Sequence, residues 1–299
     1  MCHGRPAREG AWPGWPLHKR RATGILPVQE NMARMAMSRE SMQRIMTIAL
    51  GAFKESVRER VLYNLVVFAF LMIGAAILMG SISVGVERII LVNLGLSAIS
   101  IFGLLIAIFI GIGLVSKEIQ LRTIYNILSK PVARAEFILG KYAGLVVTLF
   151  VNTVIMTLGF YLALAIQKGS LGKGDLSLLV AIYFILLQLA IVVGVAIFFS
   201  CISTSILSAV FTFCLFVIGN FSSDIRWFGQ GSGSPFLEKA TAILYYVLPN
   251  FGDFNVIDQV AHGVRIPGVL IIANTCYAIL YIAVLLSGAV LIFEEREFQ

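Results

Sequence analysis

Long apolar runs alternate with short polar breaks along this chain, and the runs set its architecture. Crossing about 30 Å of hydrocarbon takes about 20 apolar residues in a helix, at about 1.5 Å each. Six stretches meet that length: roughly 61–80, 91–115, 143–166, 178–200, 205–222 and 268–293. The fifth is the shortest, and a tight turn around Ser203-Thr204-Ser205 divides it from the fourth. Ahead of the first run, Met42, Ile45, Met46, Ala49, Phe53 and Val57 recur at spacings of three and four, while Arg44, Lys54, Arg58 and Glu59 take other faces. That period predicts an amphipathic helix along the membrane interface, with Phe53, Lys54 and Arg58 as its candidate contact residues.

The stretch 223–266 predicts two short helices. Ser234-Pro235 reads as an N-cap followed by proline at the first helical position. Phe236, Leu237, Ala240, Ile243, Leu244, Val247 and Leu248 then hold one apolar face, and Pro249 ends the run. A second piece, Val256 to Ala261, stops at Gly263. Both read as helices lying in or dipping into the outer interface, with a small surface cap as the other reading.

Composition agrees with a bilayer environment. Of 299 residues, 59% are hydrophobic and 13% charged, against about 45–50% and about 25% in soluble domains. A soluble fold of this composition would expose far too much apolar surface. The expected fold is all-α integral membrane: six transmembrane helices, an N-terminal interfacial helix and short outer-loop helices in one domain over 37–299. Residues 1–36 hold Pro6, Pro13, Pro16 and Pro27 and show no helical period. Their longest apolar piece, ILPV, is too short for a signal peptide core of about 7–15 residues. They read as an irregular leader or as sequence upstream of the true start, with Met32, Met35, Met37 and Met42 as candidate starts.

The net charge of +7 is unevenly spread. Arg34, Arg39, Arg44, Lys54, Arg58 and Arg60 precede the first run, and Lys117, Arg122, Lys130, Arg134 and Lys141 lie between the second and third. The other loops carry fewer basic residues per length. This pattern puts both termini on the cytoplasmic side and draws the chain to anionic lipid, without calling for nucleic acid. Cys2, Cys201, Cys214 and Cys276, with His3, His18 and His262, form no ligand spacing, so no metal site is expected.

Several chemistries lack their residues. No GxxxxGK[ST] loop occurs; the nearest run, LGKGD at 171–175, has glycine after the lysine. No Ser/His/Asp, HExxH or paired-carboxylate arrangement lies in the apolar runs, so no catalytic residue is assigned and the chain is not expected to be an enzyme. Ion-coupled carriers keep ionisable groups inside their spans, and these runs hold none at depth. Asn93, Asn152, Gln188, Asn220 and Asn274 are their strongest polar groups. Asn93, Asn152, Gln188 and Asn274 are candidate path-lining residues, with interhelical hydrogen bonding as the alternative. A chain that moves solute uphill without such groups must be driven through another chain.

The segment SKEIQLRTIYNILSKPVARAEFILGKY, 116–142, is where that drive would enter. Glu118 and Arg122 stand at i,i+4 in the favourable order for a helical pair. Pro131 pushes Lys130 out of the helical region, and a new helix begins after Val132. The prediction is a short, rigid cytoplasmic elbow joined to two spans; an ordinary basic loop is the other reading.

This segment resembles the one that follows the second span of ABC-2 type transporter permeases. Glu118, Arg122, Thr123, Leu128, Ser129, Pro131, Arg134, Gly140 and Lys141 match, with Ile127-Leu128 where the family has Leu-Leu. The run YYVLPNFGDFN, 245–255, is similar to one in a branch that includes permeases near copper-enzyme maturation systems. The resemblance covers about 40 to 299. It implies a permease subunit in a bacterial cytoplasmic membrane, paired with a second copy or a homologous permease and driven by ABC ATPase subunits. ATP and Mg would bind those subunits and no cofactor this chain. It also implies that the elbow and interfacial helix receive the ATPase stroke. Glu118 and Arg122 would hold the elbow, Lys130 and Arg134 would lie near the ATPase or lipid phosphates, and Thr123, Pro131, Gly140 and Lys141 would complete it. The path would run along the dimer interface with the outer-loop helices as its lid. An autonomous secondary carrier or channel, and a membrane scaffold or enzyme, are the competing functions.

Overall fold

The structure, a computed structural model, describes residues 41–56, scattered positions between 67 and 78, and 87–120, 133–168, 177–231, 235–264 and 266–295. At 87–88, 113–120, 134, 166–168, 235 and 294–295 it describes the backbone alone. From Gln43 onward the described residues form one compact unit; of residues 1–42 only 41 and 42 are described, and both are helical. Among the described residues there is no strand.

Helix α1 covers 41–56. Four long helices follow or flank it in sequence: α2 (Glu87–Gln120), α3 (Arg134–Lys168), α4 (Ser177–Ile202) and, last in the chain, α9 (Gly268–Glu295). Each is long and apolar enough to cross a membrane, over Ile89–Ile112, Ala135–Ala165, Ser177–Ile202 and Gly268–Phe293. α4 is apolar on every face, the pattern of a helix buried in a core or a membrane, and most of it is buried here. It sits at the centre, packed on α2, α3 and α9. Gly103 lets α2 approach closely, since a Cβ there would meet the Leu189 side chain of α4. The first expected span, 61–80, lies mostly outside the described residues. Within it Phe68 and Met72 are buried, and Phe68 meets Phe102 of α2 edge-on at 5.8 Å.

α2 runs unbroken to Gln120, so the elbow segment starts as a continuation of that helix, as the Glu118–Arg122 spacing predicts. Polar residues mark where a helix can enter water and do not by themselves end it. The fifth expected span, 205–222, is a 16-residue helix, α5 (Ser205–Asn220), that bends by 57° into α6 (Ser222–Gly231). Three of its last carbonyls are satisfied: the Phe221 N–H donates to Val217 O and Ile218 O, and the Phe251 N–H donates to Gly219 O at 3.0 Å. α5 returns antiparallel along α4, so Asn220 ends beside Gln188, about 16 Å short of the Ser177 end at 1.5 Å per residue.

α6 pairs with α7 (Pro235–Val247). Gly229 packs tightly on Thr241, and the Arg226 guanidinium lies 4.7 Å over the Tyr245 ring. The helix starts at Pro235 and stops two residues before Pro249, as its sequence signals predict. Beyond it the chain turns back into the bundle. Phe251 and Phe254 are fully buried, against Phe216 at 5.4 Å and Phe184 at 6.3 Å respectively. A 3₁₀ turn (Gly252–Phe254) and a short α8 (Ile257–Ala261) follow, and Gly263 at φ 77° takes the left-handed position that ends a helix.

Candidate functional site

The first candidate region is the base of α3, where the matched elbow residues enter the helix. Ala133 precedes the helix, and the Glu136 carboxylate reaches back to accept its N–H at 3.4 Å, half of a capping box. Arg44 of α1 stands 3.9 Å from the same carboxylate. Gly140 and Gly144, one turn apart on α3, face α1. A Cβ on Gly140 would meet Ile48 at 2.8 Å, and one on Gly144 would meet the Ala49 carbonyl oxygen at 2.5 Å and Ala52 Cβ at 2.7 Å. This is close small-residue packing of the kind used between helices in lipid. Lys141 lies between the two glycines with its side chain 4% exposed, its Nζ 3.8 Å from Glu55 Oε2 and 5.8 Å over the Phe137 ring.

Thus Gly140 and Lys141 hold α1 against α3, a role their place in the elbow motif did not indicate. The signal was present as the G-x-x-x-G spacing of GKYAG. Glu55 was missed because its partner lies far along the chain. On α1, Phe53 is half-buried and Lys54 is exposed; Arg58 lies outside the described residues. So do Arg122, Thr123, Lys130 and Pro131, while Glu118 and Arg134 are described in backbone only, at the end of α2 and the start of α3.

Removing Glu55 should take one carboxylate away from the buried Lys141 ammonium. We expect Glu55→Ala to lower stability by about 1–3 kcal/mol, below the full cost of breaking a buried pair because Glu55 is partly exposed. Glu55→Ala combined with Lys141→Met should recover most of the loss. Thermal unfolding of the single and double variants in mild detergent measures that coupling.

The second region is polar and lies where α5 ends. The four expected path residues have different surroundings. Asn152 is buried and donates to Thr148 O of its own helix at 2.9 Å. The Asn93 Oδ1 is buried with no hydrogen-bond partner among the described residues. The Asn274 Nδ2 donates to the Asp253 carbonyl oxygen at 2.9 Å. Gln188, the most central, approaches Asn220 Oδ1 at 3.5 Å. These two amides, with Ser97, Ser100 and Asn255, supply the polar lining of a half-open cavity of about 190 Å³.

Beside the cavity, Asn250 ties the re-entering segment together. Its Oδ1 accepts from the Ser222 hydroxyl at 2.7 Å, and its Nδ2 lies 3.1 Å from the Tyr245 hydroxyl and 2.6 Å from Asp253 Oδ2. Its backbone N–H donates to the Tyr277 hydroxyl at 3.1 Å. Tyr245, Asn250 and Asp253 all lie in the run 245–255 that the sequence singled out, but its pattern did not indicate that Asn250 bonds to the other two.

No model of a known protein family matches the chain, and no curated protein matches it. The fold and these two regions define an all-helical, multi-pass membrane protein.

Proposed function

We propose that this chain is the permease subunit of an ABC-2 type transporter, an exporter in a bacterial cytoplasmic membrane driven by a separate ATPase subunit. On this reading it has six spans, with the stretch 61–80 as the first and the bent α5–α6 pair as the fifth. Both termini are cytoplasmic, and a second permease copy or a homologue completes the path. The observation that carries the reading is the interlocked base of α3. The interfacial helix and the helix leaving the elbow are clamped by Gly140, Gly144 and the Lys141–Glu55 pair, so a push on either moves both. That arrangement suits force arriving from outside the chain. The resemblance of 116–142 to the coupling segment of such permeases supports the same assignment, with Glu118 and Arg122 as its internal brace.

Gentle affinity purification from native membranes, with mass spectrometry of what co-purifies, tests it. A stoichiometric P-loop ATPase is the expected companion. Recovery of the chain alone across several detergents, with ATP and Mg²⁺ present, would overturn the reading in favour of an autonomous carrier. In the assembled complex, Glu118→Ala should leave the chain folded and the ATPase bound while transport falls away. Unchanged transport in that variant would remove Glu118 from the coupling role.

A further inference from the structure

We propose that the cavity at the end of α5 binds the head of an uncharged amphiphile bearing hydroxyl or amide groups. The site lies deep in the membrane-spanning part of the fold. Ser100 stands near the middle of the apolar stretch Ile89–Ile112, and Gln188 near the middle of Ser177–Ile202. At that depth Asn255, in irregular backbone, reaches the same cavity. Non-helical backbone is tolerated so deep only where it is buried in protein or lines a cavity.

The lining is rich in unspent hydrogen-bonding groups. Hydroxyls on these helices ordinarily bond back to the carbonyl four residues earlier, as Thr148, Thr212 and Ser208 do. Ser97 and Ser100 make no side-chain hydrogen bond among the described residues, and neither does the Asn255 amide. Gln188 is 5% exposed, and its one contact, to Asn220, is at the outer limit of a hydrogen bond. A buried amide so poorly partnered is costly unless something else meets it.

The ligand's chemistry follows from what is absent as well. Among the described residues no charged side chain lines the cavity, and an ion there would lose its hydration without a counter-charge. The head is therefore neutral and both donates and accepts. At about 30 Å³ per water, the space equals about six waters, which fits a head the size of glycerol. Ile101, at the rim, is 57% exposed on the bundle surface. Leu105 and Phe109 continue that exposed row along α2, one turn apart each, so a tail has an apolar track leading away from the mouth.

The inference does not rest on the ATPase partner and is read on the purified chain alone. Binding of 1-monooleoylglycerol to the delipidated protein would be measured by native mass spectrometry and by thermal shift. The controls are oleate, which has the same tail and a charged head, and free glycerol, which has the head alone. Saturable binding of the monoacylglycerol is expected, weakened about tenfold by Gln188→Leu and again by Ser100→Ala, with oleate weaker and insensitive to both variants. Ser100→Ala changes so little volume that it retains the fold if Gln188→Leu does not. Equal binding of oleate, or binding unchanged in Ser100→Ala and in every folded Gln188 variant, would overturn the site. Glycerol binding as tightly as its ester would overturn the amphiphile and leave a plain polyol pocket.

Discussion

Gly144→Leu should separate α1 from α3. Even a single Cβ at this position would lie 2.5 Å from the Ala49 carbonyl oxygen and 2.7 Å from Ala52 Cβ. Neither atom belongs to a flexible side-chain tip, so the helices themselves must move. Overpacking of a close contact costs about 1–3 kcal/mol, and a branched side chain here belongs at or above the top of that range. Moving the helices would also pull Glu55 from Lys141 and Arg44 from Glu136, whose 3.8 and 3.9 Å separations leave little slack. The matched control is Gly51→Ala. Gly51 lies on the exposed side of α1 with nothing within 4 Å of its added Cβ. Alanine there should stabilise by about 0.5–1 kcal/mol through helix propensity. Opposite signs for the two substitutions in detergent unfolding, with faster proteolysis of α1 only in Gly144→Leu, are the expected results. Equal effects would mean that α1 does not dock through the two glycines.

The second large effect is expected from Asn250→Ala. The substitution removes an acceptor for Ser222 and two donations, to Tyr245 and to Asp253, from a residue only 6% exposed. Each neutral bond contributes about 0.5–1.5 kcal/mol, and those to a charged group about 1.5–3. The losses are not additive within one network, so about 2–4 kcal/mol is expected. The damage should be local. Phe251 and Phe254 would lose the anchor that holds their segment in the bundle, and amide exchange should rise across 248–257 before it rises in α4. Asn255→Ala, five residues on, removes a side chain without a protein hydrogen bond and should cost under about 0.5 kcal/mol. Similar exchange in both variants would show that Asn250 is not the anchor.

How far the sequence foretold this structure depended on the range of the signal. The ends of α7 were legible because Pro235 and Pro249 act on their own backbone, and Gly263 ends α8 for the same reason. The long helices α3, α4 and α9 were legible from apolar length alone. The 57° bend after Asn220 was not, because no proline marks it and the Phe251 N–H that takes up the Gly219 carbonyl comes from another segment. In the candidate site, residue type was readable and partnership was not. Asn152 and Gln188 look alike in an apolar run. One donates to its own helix, and the other lines a cavity with residues from three further parts of the chain. Lys141 was singled out by motif, but its burial against Glu55 depends on a helix some eighty residues earlier, at about 1.5 Å of rise per residue far beyond local reach.

The unbroken length of α2 has a mechanical consequence. It packs closely on the central helix at Gly103, and from there to Gln120 the rod extends about 25 Å without a joint. Tilting it by about 10° about Gly103 would swing Gln120 through about 4 Å, while Ser100, about 4.5 Å from the same fulcrum, would shift by under about 1 Å. A motion large at one end of the molecule is thus nearly stationary where the cavity lies, and the wall of the cavity would rotate more than it travels.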